Sequence, residues 1–323
     1  LFLGITGLGK KLIAYVPMSM RAGIILGAGV AAVWGVIMPK GRMTGQEVTI
    51  MVGAFICWLV LFSWNFAQKK QNSGFLQLLS KYGMLPGLVV AAIVGPLIGE
   101  IPFPKIQMGI IDFSLAGKML DYTIFGVGFP AAKYWIDALP LVFAAYIIAF
   151  GDFVLAEVVT KEADVVRQDE VIEFNPTRSN LISGLRNLIM GMVAPYGPLC
   201  GPLWAGGTIA IAERYKHGRA AMDSIYGGCG SFILAMFVAS LFLPIISLVR
   251  PVLPAALSLT LLVQGYACFY IAMNMCRTNQ ERGIAGTMAI FLAAKSAAWG
   301  LGIGVLLVLL IGNSIKENPD EAK

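Results

Sequence analysis

Charged residues are scarce in this sequence: Asp, Glu, Lys and Arg make up 13% of its 323 residues, whereas hydrophobic residues make up 58%. Soluble domains carry about 25% charged residues, so this composition excludes an ordinary soluble protein and indicates an integral membrane protein. Histidine occurs once, as His217 in a basic stretch, where a solvated side chain is the usual state. We therefore predict no proton-relay role for it.

Motifs that would indicate an enzyme or a metal site are also missing. The five cysteines show no CxxC spacing, which favours small buried side chains over a zinc site or a disulfide framework. The sequence has no HExxH, no GxSxG and no two acids spaced for a metal in an apolar segment, so it predicts neither a membrane-embedded enzyme nor a cofactor. The net charge of +6 comes without a basic run interleaved with aromatic residues, so no nucleic-acid partner is expected.

An irregular segment lies among the apolar runs. Its first part cannot be a regular helix, because three prolines interrupt it within eight residues, at Pro195, Pro198 and Pro202. From Trp204 the sequence can run as a helix to a basic cluster at Arg214, which indicates a membrane–water boundary. Ten residues at about 1.5 Å each place the start of this helix near the midplane of a roughly 30 Å hydrocarbon core. Residues 195–214 are therefore predicted to form a broken helix, a feature of binding sites in secondary transporters; the alternative is a loop outside the membrane.

The first turn of this half-helix is the predicted substrate-binding element. Small residues let a ligand approach backbone N–H groups, and the helix dipole offers partial positive charge there. Trp204 either stacks on a planar ring or fills the cavity wall, and stacking is the favoured interpretation. The residues predicted to bind substrate in this segment are Leu203, Trp204, Ala205, Gly206, Gly207 and Thr208.

Asp152 is a second candidate, within a predicted span at about 137–160. It lies about 13 Å along a helix from the boundary at Lys161, close to the membrane midplane. An ionisable group at that depth is costly and by default functional, as a proton or sodium relay or as a substrate contact. The alternative is a carboxyl group that bonds to a neighbouring helix and fixes its packing.

The apolar runs predict a multi-pass protein. The predicted spans cover about 22–38, 48–67, 83–99, 137–160, 179–194, 220–247 and 251–275. Residues 70–82 are predicted to form an interfacial helix and 100–136 an external connection, while 282–312 form either one tilted helix or a short hairpin. We place the polar loop 161–178 in the cytoplasm, and the hairpin alternative places the C-terminal tail there too. Sixteen Lys and Arg residues then lie on the inner side and six on the outer side. With Arg186 and Lys295 in apolar segments, these account for all 24.

Three phrases, in this order and spacing, carry a resemblance to a known family. They are GITGLGKKLIAYVPMSMRAGIILGAG (4–29), RSNLISGLRNLIMGMVAPYGP (178–198) and LFLPIISLVRPVLPAALSLTLLVQGYACFYIAMN (241–274). They resemble parts of the nucleobase/ascorbate (xanthine/uracil permease) superfamily, which shares its architecture with the sulfate permeases. The first phrase is similar to the entry into the family's fifth span. The second is similar to the ninth span and the start of the tenth, and the third to the end of the eleventh span and the whole twelfth.

The resemblance implies an all-α fold of two inverted seven-span repeats, in which a core domain moves against a gate domain like an elevator. The third and tenth spans of such a fold each hold a short extended segment before a half-helix, and substrate binds between the half-helices. Residues 1–136 would supply gate spans five to seven and the external connection. Residues 137–247 would supply core spans eight to eleven, and 248–323 gate spans twelve to fourteen and the tail. The family's first spans would precede Leu1, and a homodimer through gate helices in the bacterial inner membrane is expected.

The chain departs from the family at two acidic positions. Matching Gly151 and Asp152 to a glycine–acid pair of the eighth span puts Ile148 where nucleobase members carry a carboxylate, so the resemblance makes Ile148 a predicted substrate-binding position. Matching Gly207 in the tenth span puts Trp204 where those members carry a glutamate. Classical uracil or xanthine recognition is therefore not expected from these positions.

The combined prediction is a secondary active transporter of a small polar solute, nucleobase-like or another small organic molecule, coupled to H⁺ or Na⁺ through Asp152. The alternative is an anion permease or exchanger of the sulfate-permease type without a coupling carboxylate. A non-transporting scaffold or receptor forms a third class, because both family acids are replaced. The predicted partners are the substrate, the lipid bilayer and a second copy of the chain.

Overall fold

The structure is a computed structural model that describes residues 1–167, 169–195, 212 and 215–311. These residues are mainly α-helical and contain no β-strand. An all-α protein is thereby confirmed for the described part of the chain, and the inverted repeat of seven plus seven spans stays a prediction. The α-helices, in chain order, are α1 Phe2–Ile5, α2 Leu8–Tyr15, α3 Met18–Ile37, α4 Glu47–Phe62, α5 Trp64–Lys69, α6 Gly74–Lys81, α7 Leu85–Ile98, α8 Ala116–Leu120, α9 Ile124–Val127, α10 Ala132–Val166, α11 Pro176–Val193, α12 Arg219–Leu241, α13 Leu243–Val249, α14 Leu253–Met275, α15 Asn279–Ala294 and α16 Ala297–Ile311. Short 3₁₀ helices lie at Lys70–Asn72 and Phe113–Leu115.

Several of these helices are apolar enough to cross a membrane. Among the described residues, α3 and α14 each have the length and hydropathy of a membrane span, and α6 with α7 would form a third as a bent pair. Helices α4 and α16 are apolar but shorter. These helices support the prediction of an integral membrane protein, and the positions of the other predicted spans stay predictions.

Helix α10 is longer than the sequence predicts. It runs from Ala132 to Val166 with Pro140 inside it, so it extends beyond the predicted span 137–160 at both ends. Lys161 Nζ forms a 2.9 Å ion pair with Glu157 one turn earlier, and such pairs support a helix on its exposed side. The polar residues that favour a loop after residue 160 are therefore equally compatible with a solvated last turn of a helix.

The polar connection between α10 and α11 is correspondingly shorter than the predicted loop 161–178. Helix α11 begins at Pro176, a residue that suits the first helical position because it lacks an N–H group. The side chain of Asn175 caps this helix by accepting hydrogen bonds from the backbone N–H groups of Thr177 and Arg178, at 3.0 and 3.1 Å.

The described part of residues 282–312 forms a hairpin rather than one tilted helix, because α15 and α16 are separate helices that pack against each other. Helix α15 begins with a capping box: Thr278 Oγ1 accepts from the N–H of Glu281, and the Glu281 carboxylate accepts from the N–H of Thr278. Gly300 permits the close approach of α16, since a Cβ atom there would lie 2.5 Å from Leu292 Cβ.

The chain divides into two compact units, each built from two stretches of sequence. Unit 1 comprises Leu1–Pro17 and Ile110–Leu241, and unit 2 comprises Met18–Gly109 and Phe242–Lys323. Unit 1 therefore contains α1, α2 and α8–α12, and unit 2 contains α3–α7 and α13–α16. The predicted division into gate and core spans, at residues 136 and 247, stays a prediction.

The core of unit 2 includes the packing of α3 against α14 and α15. The buried residues of this cluster are Ala22, Leu26, Ala272, Cys276, Ala285 and Ala289. Helices α3 and α14 approach closely at two glycines: a Cβ atom at Gly29 would lie 3.0 Å from the carbonyl oxygen of Gly265 and 2.7 Å from Cys268 Cβ. Small residues at a crossing allow such close backbone contact between membrane helices.

A polar contact joins α7 to α4 in the same unit. Helix α7 ends at Ile98 and is followed by Gly99, which takes the left-handed conformation with φ of 81° that commonly terminates helices. The next residue, Glu100, accepts hydrogen bonds from the backbone N–H groups of Val48 and Thr49 at 3.0 and 2.8 Å. Glu100 therefore caps the first turn of α4.

In unit 1, α10 packs against α11. The buried Asn180 on α11 donates a 3.1 Å hydrogen bond from Nδ2 to the hydroxyl oxygen of Tyr146 on α10. Helix α1 packs against α11 as well, and a Cβ atom at Gly4 would lie 2.8 Å from Leu181 Cδ2. The helix that carries Ile148 and Asp152 is thus held in place by α11.

Candidate functional site

The predicted site residues differ in how far the structure describes them. Ile148 and Asp152 both lie in α10, and their four-residue spacing places them on one face of that helix. The side chains of these residues lie outside the described part of the chain. The other predicted residues, Leu203, Trp204, Ala205, Gly206, Gly207 and Thr208, lie outside the described residues altogether. A joint site formed by these eight residues stays a prediction.

A buried arginine lies where α10 ends, after its last residue Val166. The side chain of Arg167 is only 3% exposed. Its Nε and Nη2 atoms donate to the carboxylate oxygens of Asp169 at 2.7 and 2.6 Å, a bidentate pair, and Nη2 lies 3.3 Å from a carboxylate oxygen of Glu170. Planar bidentate pairs of this kind are among the stronger charged hydrogen bonds in proteins.

The same guanidinium group holds Tyr215, which is far away in the sequence. Arg167 Nη1 donates a 3.4 Å hydrogen bond to the carbonyl oxygen of Tyr215. The guanidinium carbon also lies 4.2 Å from the centre of the Tyr215 ring, in the geometry of a cation–π interaction. We call Arg167, Asp169, Glu170 and Tyr215 the Arg167 clamp.

Apolar contacts accompany this clamp. Ala163 near the end of α10 is fully buried against Ala212 and Tyr215, with Ile172 and Met222 packed around them. The backbone N–H of Ile172 donates a 2.9 Å hydrogen bond to Asp164, which folds the connection after α10 back onto the helix. Ala212 and Tyr215 come after Thr208, the last of the predicted substrate-binding residues. The clamp therefore ties the chain after those residues to the helix that carries Asp152.

The charges of the clamp reinforce one another. The hydrogen bonds from Arg167 lower the pKa of Asp169 below its ordinary value, against the opposing effect of desolvation. The hydrogen bond to Asp169 likewise raises the pKa of Arg167. Both groups therefore stay ionised at neutral pH, and the carboxylates of Asp169 and Glu170 remain partly open to solvent.

Sequence reasoning missed the role of this arginine. In the count of charges, Arg167 is one of many positive residues on the predicted inner side, and Tyr215 has no predicted role. A local signal exists, since Asp169 and Glu170 follow Arg167 within three residues. The contact with Tyr215 has no sequence signal, because it depends on tertiary folding.

Unit 1 also has polar groups on α10 and α11. Tyr146, which bonds to Asn180, precedes Ile148 by two positions on α10. Arg186 on α11 is exposed, and its Nη1 lies 3.5 Å from Asn187 Oδ1, an arrangement that fits a side chain reaching toward water. Within the residues that the structure describes, no three His, Cys, Asp or Glu side chains gather as a metal site.

A groove of about 350 Å³ on unit 2 has different chemistry. It is open, almost wholly apolar, and lined by one face of α16, at Ala298, Trp299, Gly302, Ile303 and Leu306. Such a surface suits an acyl chain better than a polar solute. We therefore do not place the solute site there.

Comparison with known proteins adds no relative. The chain matches no protein-family model and none of the curated proteins with which it was compared. The resemblance to the nucleobase/ascorbate permeases therefore rests on the three phrases of its sequence alone.

Proposed function

We propose that the protein is a secondary active transporter that moves a small polar solute, nucleobase-like or another small organic molecule, across the membrane. The observation that supports this most directly is the Arg167 clamp on Tyr215, which together with the apolar contacts of Ala163 holds Ala212 and Tyr215 at the end of α10. Those residues follow the predicted solute-binding segment, and α10 carries the predicted coupling residue Asp152. A clamp at this position lets both parts of the site move as one body, which rigid-body alternating access requires.

In this proposal each predicted residue has a distinct role. Asp152 takes up H⁺ or Na⁺ and couples its movement to that of the solute, because an ionisable group at membrane depth is costly unless it serves such a purpose. Ile148, one turn earlier on α10, contacts the solute. Residues 203–208 offer backbone N–H groups and the face of Trp204 to the solute.

The second candidate is an anion permease or exchanger. It is favoured by one feature of the sequence, the replacement of both family acids by Ile148 and Trp204. An anion exchanger needs no coupling carboxylate, so the two candidates differ in their dependence on Asp152.

The experiment is solute uptake by the purified chain in sealed vesicles, with an imposed H⁺ or Na⁺ gradient. Nucleobases, other small organic molecules and inorganic anions serve as solutes. We expect Asp152→Asn to abolish the dependence of uptake on the ion gradient. Asp137→Asn is the matched control, because Asp137 is an exposed carboxylate near the start of the same helix, and we expect it to transport normally.

The outcomes separate the candidates. Anion uptake that Asp152→Asn leaves unchanged favours the exchanger over the symporter. Absence of uptake of every solute by correctly folded protein contradicts transport and favours a scaffold or receptor.

The proposal also includes a homodimer through gate-domain helices and a location in the bacterial inner membrane, both as the resemblance implies. Light scattering of the detergent-solubilised chain measures the oligomeric state. A mass of one chain per particle contradicts the dimer without affecting the transport proposal.

A further inference from the structure

The connection between α4 and α7 in unit 2 forms two short helices joined by a 3₁₀ turn. It consists of α5, the 3₁₀ helix Lys70–Asn72 and α6, and we call it the α5–α6 segment. Ser63 and Ser73 cap α5 and α6 by accepting hydrogen bonds from the N–H groups of Phe66 and Leu76. The segment is thus a folded element with defined helix starts.

The segment turns sharply away from the following apolar helix. The axis of α6 makes an angle of 88° with that of α7. If α7 runs across the membrane, α6 therefore runs nearly parallel to the membrane surface. Eight residues of helix extend only about 12 Å, too short to cross a roughly 30 Å hydrocarbon core.

One face of α6 is apolar and exposed among the residues that the structure describes. Phe75 is 67% exposed, Leu78 48% and Tyr82, directly after the helix, 56%. The spacing of these residues, three and then four positions, puts them on one side of the helix. Leu76 and Leu79 are less exposed, whereas Gln77 is exposed and lies on the side of the helix away from Phe75.

The charge of this region has a single sign. Lys69, Lys70 and Lys81 are the only charged residues between Glu47 and Glu100. The Lys69 side chain is exposed, and Lys70 Nζ donates a 3.5 Å hydrogen bond to the neutral hydroxyl of Ser80. No carboxylate within this stretch neutralises the lysines.

We propose that the α5–α6 segment is a docking surface for acidic phospholipids. The exposed apolar face enters the boundary between headgroups and acyl chains, as the apolar faces of interfacial helices do. The lysines then bind the negative headgroups, which attract basic residues next to membrane spans. The positive-inside distribution of charge places this surface on the cytoplasmic leaflet.

The first experiment measures lipid preference of the full chain in vesicles of phosphatidylcholine that contain a small fraction of spin-labelled lipid. The preference is the ratio of protein-bound spin-labelled phosphatidylglycerol to protein-bound spin-labelled phosphatidylcholine. We expect Lys69→Gln, Lys70→Gln and Lys81→Gln together to reduce it, by up to roughly fivefold for each lysine that contacts a headgroup. The matched control replaces Lys105, Lys118 and Lys133, exposed lysines of residues 100–136, with glutamine.

The proposal requires that the preference for phosphatidylglycerol falls more in the variant of Lys69, Lys70 and Lys81 than in the control variant. An unchanged preference, or an equal loss in both, overturns it. Retention of the wild-type thermal unfolding midpoint shows that each triple variant is folded.

The second experiment locates the segment by spin labels at Phe75→Cys and Gln77→Cys, on a background without native cysteines. Collision with oxygen and with a water-soluble nickel complex reports the depth of each label. We expect the label at position 75 to lie among the upper acyl chains and the label at position 77 to lie closer to water.

Other occupants give different patterns. Two labels deep in the hydrocarbon core mean that α6 and α7 form a re-entrant segment, and two labels in water mean that a soluble partner covers this face. Either result overturns lipid docking. Neither experiment measures transport, so the proposed function stands or fails independently.

Discussion

Glu100 accepts a hydrogen bond from a residue 52 positions earlier in the chain. At the scale of single residues, this contact caps the N-terminus of α4 with the carboxylate that follows α7. A helix N-terminus carries free N–H groups and partial positive charge, so a carboxylate stabilises it more than a neutral acceptor does. Desolvation raises the pKa of Glu100, but the hydrogen bonds from Thr49 and Val48 outweigh it and hold the pKa below its ordinary value.

We expect Glu100→Gln to destabilise unit 2 by about 1 kcal/mol at neutral pH, since this cap is partly exposed. The folded pKa lies below the unfolded one, so the ionised cap contributes fully above the unfolded pKa of about 4.3 and is lost as the pH falls through the folded value. Thermal unfolding midpoints in detergent, taken at steps of roughly one pH unit between pH 7 and pH 3, measure the stability of wild type and of Glu100→Gln. The gap between wild type and Glu100→Gln should narrow on acidification. Asp137→Asn serves as the control, and a gap that does not depend on pH contradicts capping by a carboxylate.

The Arg167 clamp makes a second prediction for single residues. We expect Arg167→Gln to loosen Ala212 and Tyr215 from α10, because glutamine provides neither the bidentate pair nor the cation–π contact. Arg167→Lys should be intermediate, since an ammonium group keeps the charge but cannot make the planar pair. Disulfide formation between Ala163→Cys and Ala212→Cys, on a background without other cysteines, measures the contact. Its rate should fall several-fold in Arg167→Gln.

Arg178→Gln is the matched control for the clamp. Arg178 is an exposed arginine whose hydrogen bond goes to the carbonyl oxygen of Glu173. Equal disulfide rates in Arg167→Gln and Arg178→Gln would show that the apolar contacts of Ala163 suffice without the arginine.

Sequence patterns identify residues whose free-energy cost depends only on the neighbouring residues in the chain. Asp152 is such a residue, because a carboxylate in an apolar run is expensive wherever its partners lie. Glu100 and Arg167 lie in predicted connections outside the apolar spans, where the sequence assigns a charge little cost, so their sequence neighbours do not reveal that they hold distant backbone. Their roles follow only from the tertiary contacts with Val48, Thr49 and Tyr215.

At the scale of helices, the apolar runs predict where helices exist better than where they end. α3 and α14 lie close to the predicted spans 22–38 and 251–275, because long apolar runs leave few alternatives to helix in a membrane. α10 extends past its apolar part, since polar residues can continue a helix where its side chains meet water. The sequence left one or two helices open for 282–312, because a two-residue break between α15 and α16 changes the apolar pattern very little.

The crossing of α3 and α14 gives a prediction for this scale. We expect Gly29→Ala to destabilise the protein by about 1–3 kcal/mol, because the new methyl group would overlap Cys268 and the backbone of Gly265. Gly35→Ala on the same helix is the control, since no atom lies within 4 Å of a Cβ atom there. The control should be neutral or mildly stabilising through helix propensity. Thermal unfolding midpoints in detergent compare the two, and equal midpoints would contradict a close crossing.

At the scale of the whole chain, two compact units each combine early and late segments. Such interleaving is invisible to local patterns, and only the resemblance provides an expectation for it. Sidedness, in contrast, follows from charge: the excess of Lys and Arg predicts which connections face the cytoplasm. Helix α10 offers a direct test, because its 35 residues extend about 52 Å and its two ends flank the predicted span.

We expect Lys133→Cys, at the start of α10, to react with a membrane-impermeant maleimide in intact cells. Glu173→Cys, after its end, should react only once the membrane is opened, because the connection to α11 is predicted to be cytoplasmic. Both are made on a background without native cysteines, so that labelling reports one position. Lys118→Cys, in the same external connection, should behave as Lys133→Cys does. If both ends of α10 react equally in intact cells, α10 does not cross the membrane. Asp152 then loses the membrane depth on which its coupling role depends.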